Sequence, residues 1–198
     1  VPEKYRQSVA NFIKSRGMAC SVYGAQYLME GLYLAGKEEY AFDLLVDKSD
    51  RSWWHMIEVG STITLEAWDI KYKGNMDWNH AWGAVPANII PRYLMGVRPL
   101  EPGFSRILIH PQPGKLEHAR AKIPTIRGTV NVIFQKNHEN SYRLEIDIPA
   151  NTTAKVVLPC KDIDNTGIKM DGKIINAKME DEYAVIDPLG SGKHVFVT

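Results

Sequence analysis

No run of lysine or arginine interrupts this chain, and its 24 basic side chains nearly cancel its 23 acidic ones. Proteins that hold nucleic acid through its phosphates carry a basic stripe, so that class of partner is not expected. No apolar run is long enough to cross a bilayer, so no membrane span is expected. Cysteine is scarce as well. Cys20 and Cys160 fall in segments of different character, and two free thiols are expected rather than a bridge. No Cys/His spacing suits zinc, and His110, His118, His138 and His194 form no ligand pattern, so neither metal nor cofactor is expected. The opening VPEKYRQSVANFIKSRG lacks a basic segment leading into an apolar one, and it lacks an initiator Met. The chain is therefore expected to be a piece of a longer one, and its own start does not report the compartment.

What is present divides in two. Up to about residue 100 the apolar residues recur at helical spacing. Tyr5, Val9, Phe12 and Ile13 define one face of a first helix that ends near Gly17. A second helix, about Ser21 to Ala35, is apolar on more than one face, with Gly36 at its C-terminal stop. A third begins near Glu38, a short one spans Trp53 to Val59, and a longer one runs from His80 to Met95. Pro86 and Pro91 should interrupt that last helix. From residue 101 to 198 the period falls to two. Strands are expected at 104–109, 129–134, 142–148, 153–158 and 193–197, with turns at His138–Ser141 and Asp171–Gly172. Strands without intervening helices point to an antiparallel sandwich. The fold class is thus α + β in separate domains, 1–100 helical and 101–198 β.

The chemically dense stretch is Trp53 to Trp82. It holds all five tryptophans, together with Glu58, Glu66, Asp69, Asp77, Asn79, His55 and His80. Aromatic faces stack on the C–H faces of sugars, and carboxylates and amides bond sugar hydroxyls, so this mixture suits a carbohydrate site. The segments GSTITLEAWD and KYKGNMDWN lack helical period and read as loops, where function concentrates. A pair of carboxylates is the machinery of glycoside hydrolysis. The competing structural readings are that the tryptophans pack helix ends, that Glu66 is a loop carboxylate or helix-cap partner, and that His80 begins a helix.

Four stretches together resemble the bacterial α-L-rhamnosidases, in the correct order over most of the chain. GSTITLEAWD is similar to a family segment reading roughly Gly-Ala-Thr-Thr-x-Trp-Glu-x-Trp-Asp. DWNHAWGAVPANIIPRYLMGVRPLEPGFSRILIHPQP resembles the family's final barrel helix and its exit. LEHARAKIPTIRGTVNVIF resembles the entry to the C-terminal sandwich, and IPANTTAKVVLP, MDGK and LGSGKHVFV resemble later strands. The resemblance implies the last helices of an (α/α)6 toroid followed by that sandwich. It implies an inverting reaction with Glu66 as general base, His80 in contact with the sugar and Asn79 beside it. Trp68 and Trp54 would be subsite walls, with Asp77 among the substrate-binding residues. Leu65 stands where the family often has Trp, and Asp77 where many members have Ser, so both are expected to reshape the subsite.

The general acid of the family lies upstream of any segment seen here, so this chain alone is expected to be inactive. A rhamnose-containing oligosaccharide or glycoside is the expected partner. A periplasmic or extracellular location is favoured for the longer protein. An incomplete ring would also leave apolar helix faces exposed, which favours self-association. A non-catalytic carbohydrate-binding module, or another (α/α)6 hydrolase or lyase acting on a different sugar, stands as the alternative.

Overall fold

The computed structural model describes residues 1–136, 141–160 and 167–198. They form two compact units, Val1–Ile90 and Pro91–Thr198.

The first unit is helical. After a 3-10 turn at Glu3–Tyr5, α1 spans Arg6–Arg16 and stops at Gly17, whose φ of 60° only glycine adopts without strain. The face expected to be buried is open in this chain: Tyr5, Val9 and Phe12 are exposed, and Ala10 is the buried residue of the helix. α2 (Ala25–Leu34) is the core helix, burying Ala25, Met29, Leu32 and Tyr33 while leaving Tyr27 and Leu34 exposed, as is Tyr23 in the turn before it. It packs against α3 (Glu38–Leu45) and α5 (Val85–Ile89). α4 (Trp53–Glu58) starts at Ser52, whose Oγ accepts the His55 N–H at 3.0 Å, a standard N-cap.

The helical stretch expected from His80 to Met95, with Pro86 and Pro91 interrupting it, is broken into three short pieces. A 3-10 turn at Ala81–Gly83 is followed by α5 and then by a π turn at Ile90–Leu94. Pro86 sits in the first turn of α5, where no N–H is needed, and Pro91 falls in the π turn, where it deletes an α-helical donor.

The second unit is built on two sheets. One has the order β1 (Val97–Pro99), β2 (Arg106–Ile109), β6 (Thr153–Pro159), β10 (Tyr183–Leu189), β9 (Lys178–Glu180). The other runs β3 (His118–Thr125), β4 (Gly128–Lys136), β5 (Tyr142–Ile148), β11 (Gly192–Val197), β7 (Lys169–Met170), β8 (Lys173–Ile174). Along β5 burial alternates residue by residue, with Tyr142, Leu144, Ile146 and Ile148 inside. Phe134 and Phe196 from neighbouring strands are fully buried, each contributing roughly 1.5–3 kcal/mol.

Asp171 and Gly172, with φ of 53° and 79°, make the expected tight turn between β7 and β8. The turn expected at His138–Ser141 lies, apart from Ser141, outside the described residues. The sheets are not wholly antiparallel, because β2 pairs with β6 in parallel. A parallel pair needs a long crossover, and here β3, β4 and β5 of the other sheet supply it instead of a helix.

Candidate active site

The Trp-rich loops fold onto themselves. Residues 64–66 and 77–80 lie antiparallel and are held by backbone bonds. Glu66 N–H donates to Asp77 O at 3.1 Å, and His80 N–H donates to Thr64 O at 2.8 Å. Thr64 Oγ adds a bond to His80 O at 2.7 Å. Between the arms, residues 69–76 make successive turns, with Tyr72 N–H on Asp69 O and Met76 N–H on Lys73 O, both at 3.0 Å. Leu65, Trp68 and Met76 are buried beneath.

This arrangement sets the surroundings of Glu66. Its side chain is 18% exposed. One carboxylate oxygen pairs with Lys73 Nζ, and the other accepts the Asp77 N–H at 3.0 Å. The Lys73 bond chiefly, then the Asp77 N–H, hold the Glu66 carboxyl below the usual carboxylate range, and the nearby His80 adds in the same direction. Each carboxylate oxygen has two lone pairs, so both keep acceptor capacity after these bonds. The outcome is an ionised, oriented carboxylate with access to solvent.

A second carboxylate is placed differently. Asp69 Oδ2 lies 2.5 Å from His55 Nε2, while its other oxygen accepts the Lys71 N–H at 2.8 Å. The Lys71 bond first, and His55 second, lower its pKa. These bonds tie the loop to α4, so Asp69 fixes the chain's course rather than facing a ligand freely.

The residues singled out from the sequence separate into three groups. Glu66 and His80 are brought together by the paired arms. Asp77 joins them through its peptide N–H and C=O, while its residue as a whole is exposed, as is Asn79. The two tryptophans divide. Trp54 is 42% exposed, with Lys48 Nζ 4.8 Å from its ring centre. Trp68 is corrected from subsite wall to support. It is 3% exposed, its Nε1–H donates to Cys20 O at 2.7 Å, and its ring meets Trp53 edge-on at 5.3 Å. Trp53 in turn donates to Gly83 O at 2.7 Å. Leu65, at the position where the family often has Trp, is also wholly buried and lines no surface.

Sequence reading passed over Lys73 and Trp82. Lys73 lies seven residues from Glu66 at no regular spacing, and only the closure of turns 69–76 brings it back. Trp82 is 57% exposed, with its ring 4.5 Å from that of His80. Both cysteines are free. Among the described residues no group of three His, Cys, Asp or Glu is placed to hold a metal, and no helix is long and apolar enough to cross a membrane.

Comparison with known proteins identifies the family. Residues 2–94 match the bacterial α-L-rhamnosidase 6 hairpin glycosidase domain, and residues 96–172 match the bacterial α-L-rhamnosidase C-terminal domain. An α-L-rhamnosidase of Streptomyces avermitilis is 29% identical over 211 residues, covering 99% of this chain and 20% of that protein. One from an Alteromonas species is 29% identical over 145 residues, covering 69% of this chain and 16% of that protein.

Among solved structures, the α-L-rhamnosidase of Dictyoglumus thermophilum superposes with a TM-score of 0.79 at 30% identity, over 89% of this chain and 20% of that one. The Streptomyces avermitilis enzyme complexed with L-rhamnose superposes with a TM-score of 0.83 at 25% identity, over 98% of this chain and 19% of that one. The chain thus spans about a fifth of the length of the relatives it matches. With two adjoining domain models of one family matched in order across most of its length, the chain belongs to the bacterial α-L-rhamnosidases.

Proposed function

We propose that this chain is the C-terminal region of an inverting glycoside hydrolase that releases terminal α-L-rhamnosyl residues, and that it supplies the general base. In this reading Val1–Ile90 contributes the closing helices of an (α/α)6 toroid, and the β unit follows it. The observation that carries the proposal is the Glu66 carboxylate, ionised and oriented by Lys73 and the Asp77 N–H yet still open to solvent.

In an inverting reaction water attacks the anomeric carbon from the face opposite the leaving oxygen. The new C–O bond forms as the glycosidic bond breaks, and the water proton passes to the base. A carboxylate does this only when ionised, which Lys73 favours. Its remaining lone pairs are the acceptors for that water. In this reading His80 and Asn79, on the opposite arm, bond sugar hydroxyls, and the exposed ring of Trp54 takes an apolar sugar face. The acid that protonates the leaving oxygen must stand roughly 6.5–9.5 Å from the base. It is assigned to sequence outside these 198 residues.

The test is Glu66→Gln in the longer protein. Turnover of an aryl α-L-rhamnoside should fall by at least about 10²–10⁴-fold with folding unchanged, the usual weight of acid–base catalysis. A near-normal rate would remove Glu66 from the role of base. The 198-residue chain alone should give no turnover, and clear hydrolysis by it would overturn the placement of the acid.

A further inference from the structure

A connected row of rings leads away from Glu66. The His80 ring lies 4.5 Å from Trp82 with 38° between planes, and Trp82 lies 5.3 Å from Tyr23 at 50°. Tyr23 then meets Tyr27 edge-on at 5.8 Å, and their hydroxyls are hydrogen-bonded at 3.1 Å. The three outer rings are well exposed: Trp82 57%, Tyr23 50% and Tyr27 61%. The row begins where the His80 N–H is bonded to Thr64, two residues before Glu66, and it ends on the first turn of α2. All of it lies within the helical unit.

Aromatic side chains gain most by burial, so three contiguous exposed ones mark a surface that is covered in the longer protein. The continuity of the row with the His80 ring beside Glu66 points to a ligand of that site rather than to a packing helix. The make-up of the row narrows the ligand. An indole and a phenol face suit the apolar C–H face of a pyranose. The Tyr23–Tyr27 hydroxyl pair at the far end both donates and accepts, as ring hydroxyls require. A wholly apolar group would cover that pair and leave its remaining bonding capacity unmet, which is costly.

We propose that Trp82, Tyr23 and Tyr27 form the leaving-group subsite, a platform for the pyranose ring to which the scissile residue is attached. This rests on Glu66 marking the reacting end of the site. Residues 20–27 and 80–82 then set which glycosides the enzyme prefers, while the loop of residues 64–80 carries the chemistry.

The experiment measures, in the longer enzyme, kcat/KM for an α-L-rhamnosyl-glucose disaccharide divided by kcat/KM for α-L-rhamnosyl fluoride. Fluoride is a leaving group too small to touch the row. Trp82→Ala should lower this ratio about tenfold, the loss of one buried aromatic contact. Tyr27→Phe, which keeps the ring, should lower it about threefold, the loss of one neutral hydrogen bond. An unmoved ratio in both variants overturns the subsite. A Trp82→Ala loss equally large for a planar aryl aglycone, with Tyr27→Phe silent, overturns the assignment to a pyranose. Base-assisted attack of water on the anomeric carbon is common to both substrates and departure of the leaving group is not. The change of this ratio from wild type to variant therefore reads the leaving-group side whether or not Glu66→Gln abolishes turnover.

Discussion

Gly83→Ala tests how tightly the candidate base is held from behind. A Cβ at residue 83 would lie 2.7 Å from Thr64 Cβ and 2.9 Å from Leu65 O, the backbone that leads into Glu66. Neither neighbour yields easily. Leu65 is wholly buried, the 64–66 arm is bonded to 77–80, and Gly83 O is itself held by Trp53 Nε1–H at 2.7 Å. Overpacking of this kind costs about 1–3 kcal/mol. Replacing glycine recovers about 0.4–1 kcal/mol by restricting the unfolded chain. The clash prevails by roughly 1–2 kcal/mol, which for a unit of this size lowers Tm by at least about 4 °C.

Tryptophan fluorescence is the assay, since all five tryptophans lie within Val1–Ile90 and report that unit alone. Gly31→Ala serves as the opposite control. Gly31 is inside α2 with nothing within 4 Å of its Cβ position, so alanine should stabilise by about 0.5–1 kcal/mol. A Gly83→Ala protein that melts at or above the wild-type temperature, alongside a stabilised Gly31→Ala, would refute the reasoning.

Two further outcomes concern ionisation. Because the folded-state pKa of Glu66 is depressed, its pairing stabilises above the unfolded carboxylate pKa and is lost as pH falls through the folded value. Lys73→Met should move Glu66 protonation to higher pH, read by 13C NMR of the side-chain carboxyl, and an unmoved titration would show that Lys73 does not set it. In the β unit, burial chiefly, with Arg98 and Lys155 adding, lowers the His110 pKa from 6.5 to about 4. The imidazole should titrate near that value by NMR. The stability contributed by its neutral form is complete above about 6.5 and is lost as pH falls to about 4. A midpoint between 6 and 7 would contradict the burial.

Local signals were legible where one residue type decides the backbone. Gly17, the Asp171–Gly172 turn and the proline-broken passage after His80 all follow from steric rules that need no tertiary information. Alternating burial in β5 is equally direct. Orientation was not legible, because period-two patterning is the same in parallel and antiparallel strands, so the β2–β6 pair escaped. The short or proline-containing strands β1, β3, β9 and β10 carry weak alternation and gain their order from partners across the sheet. Composition gathered the tryptophans into one region but could not rank them. Whether Trp68, Trp54 or Trp82 faces outward depends on which neighbour takes each indole. Glu66 and His80 stood out as candidates by their setting among the tryptophans and by the ordered resemblance, whereas Lys73 needed the loop to close.

The bond from Asp77 to Glu66 is made by a peptide N–H, which nineteen of the twenty amino acids provide. The exchange of Ser for Asp at this position is therefore silent for the anchoring of the carboxylate, and sequence drift there is free to retune the rim of the site. Proline alone is forbidden, since it would delete the donor and release one side of Glu66. Scanning residue 77 with the Glu66 titration as the readout should thus give a flat profile with a single steep drop at proline, the signature of a carboxylate held by main chain rather than by side-chain identity.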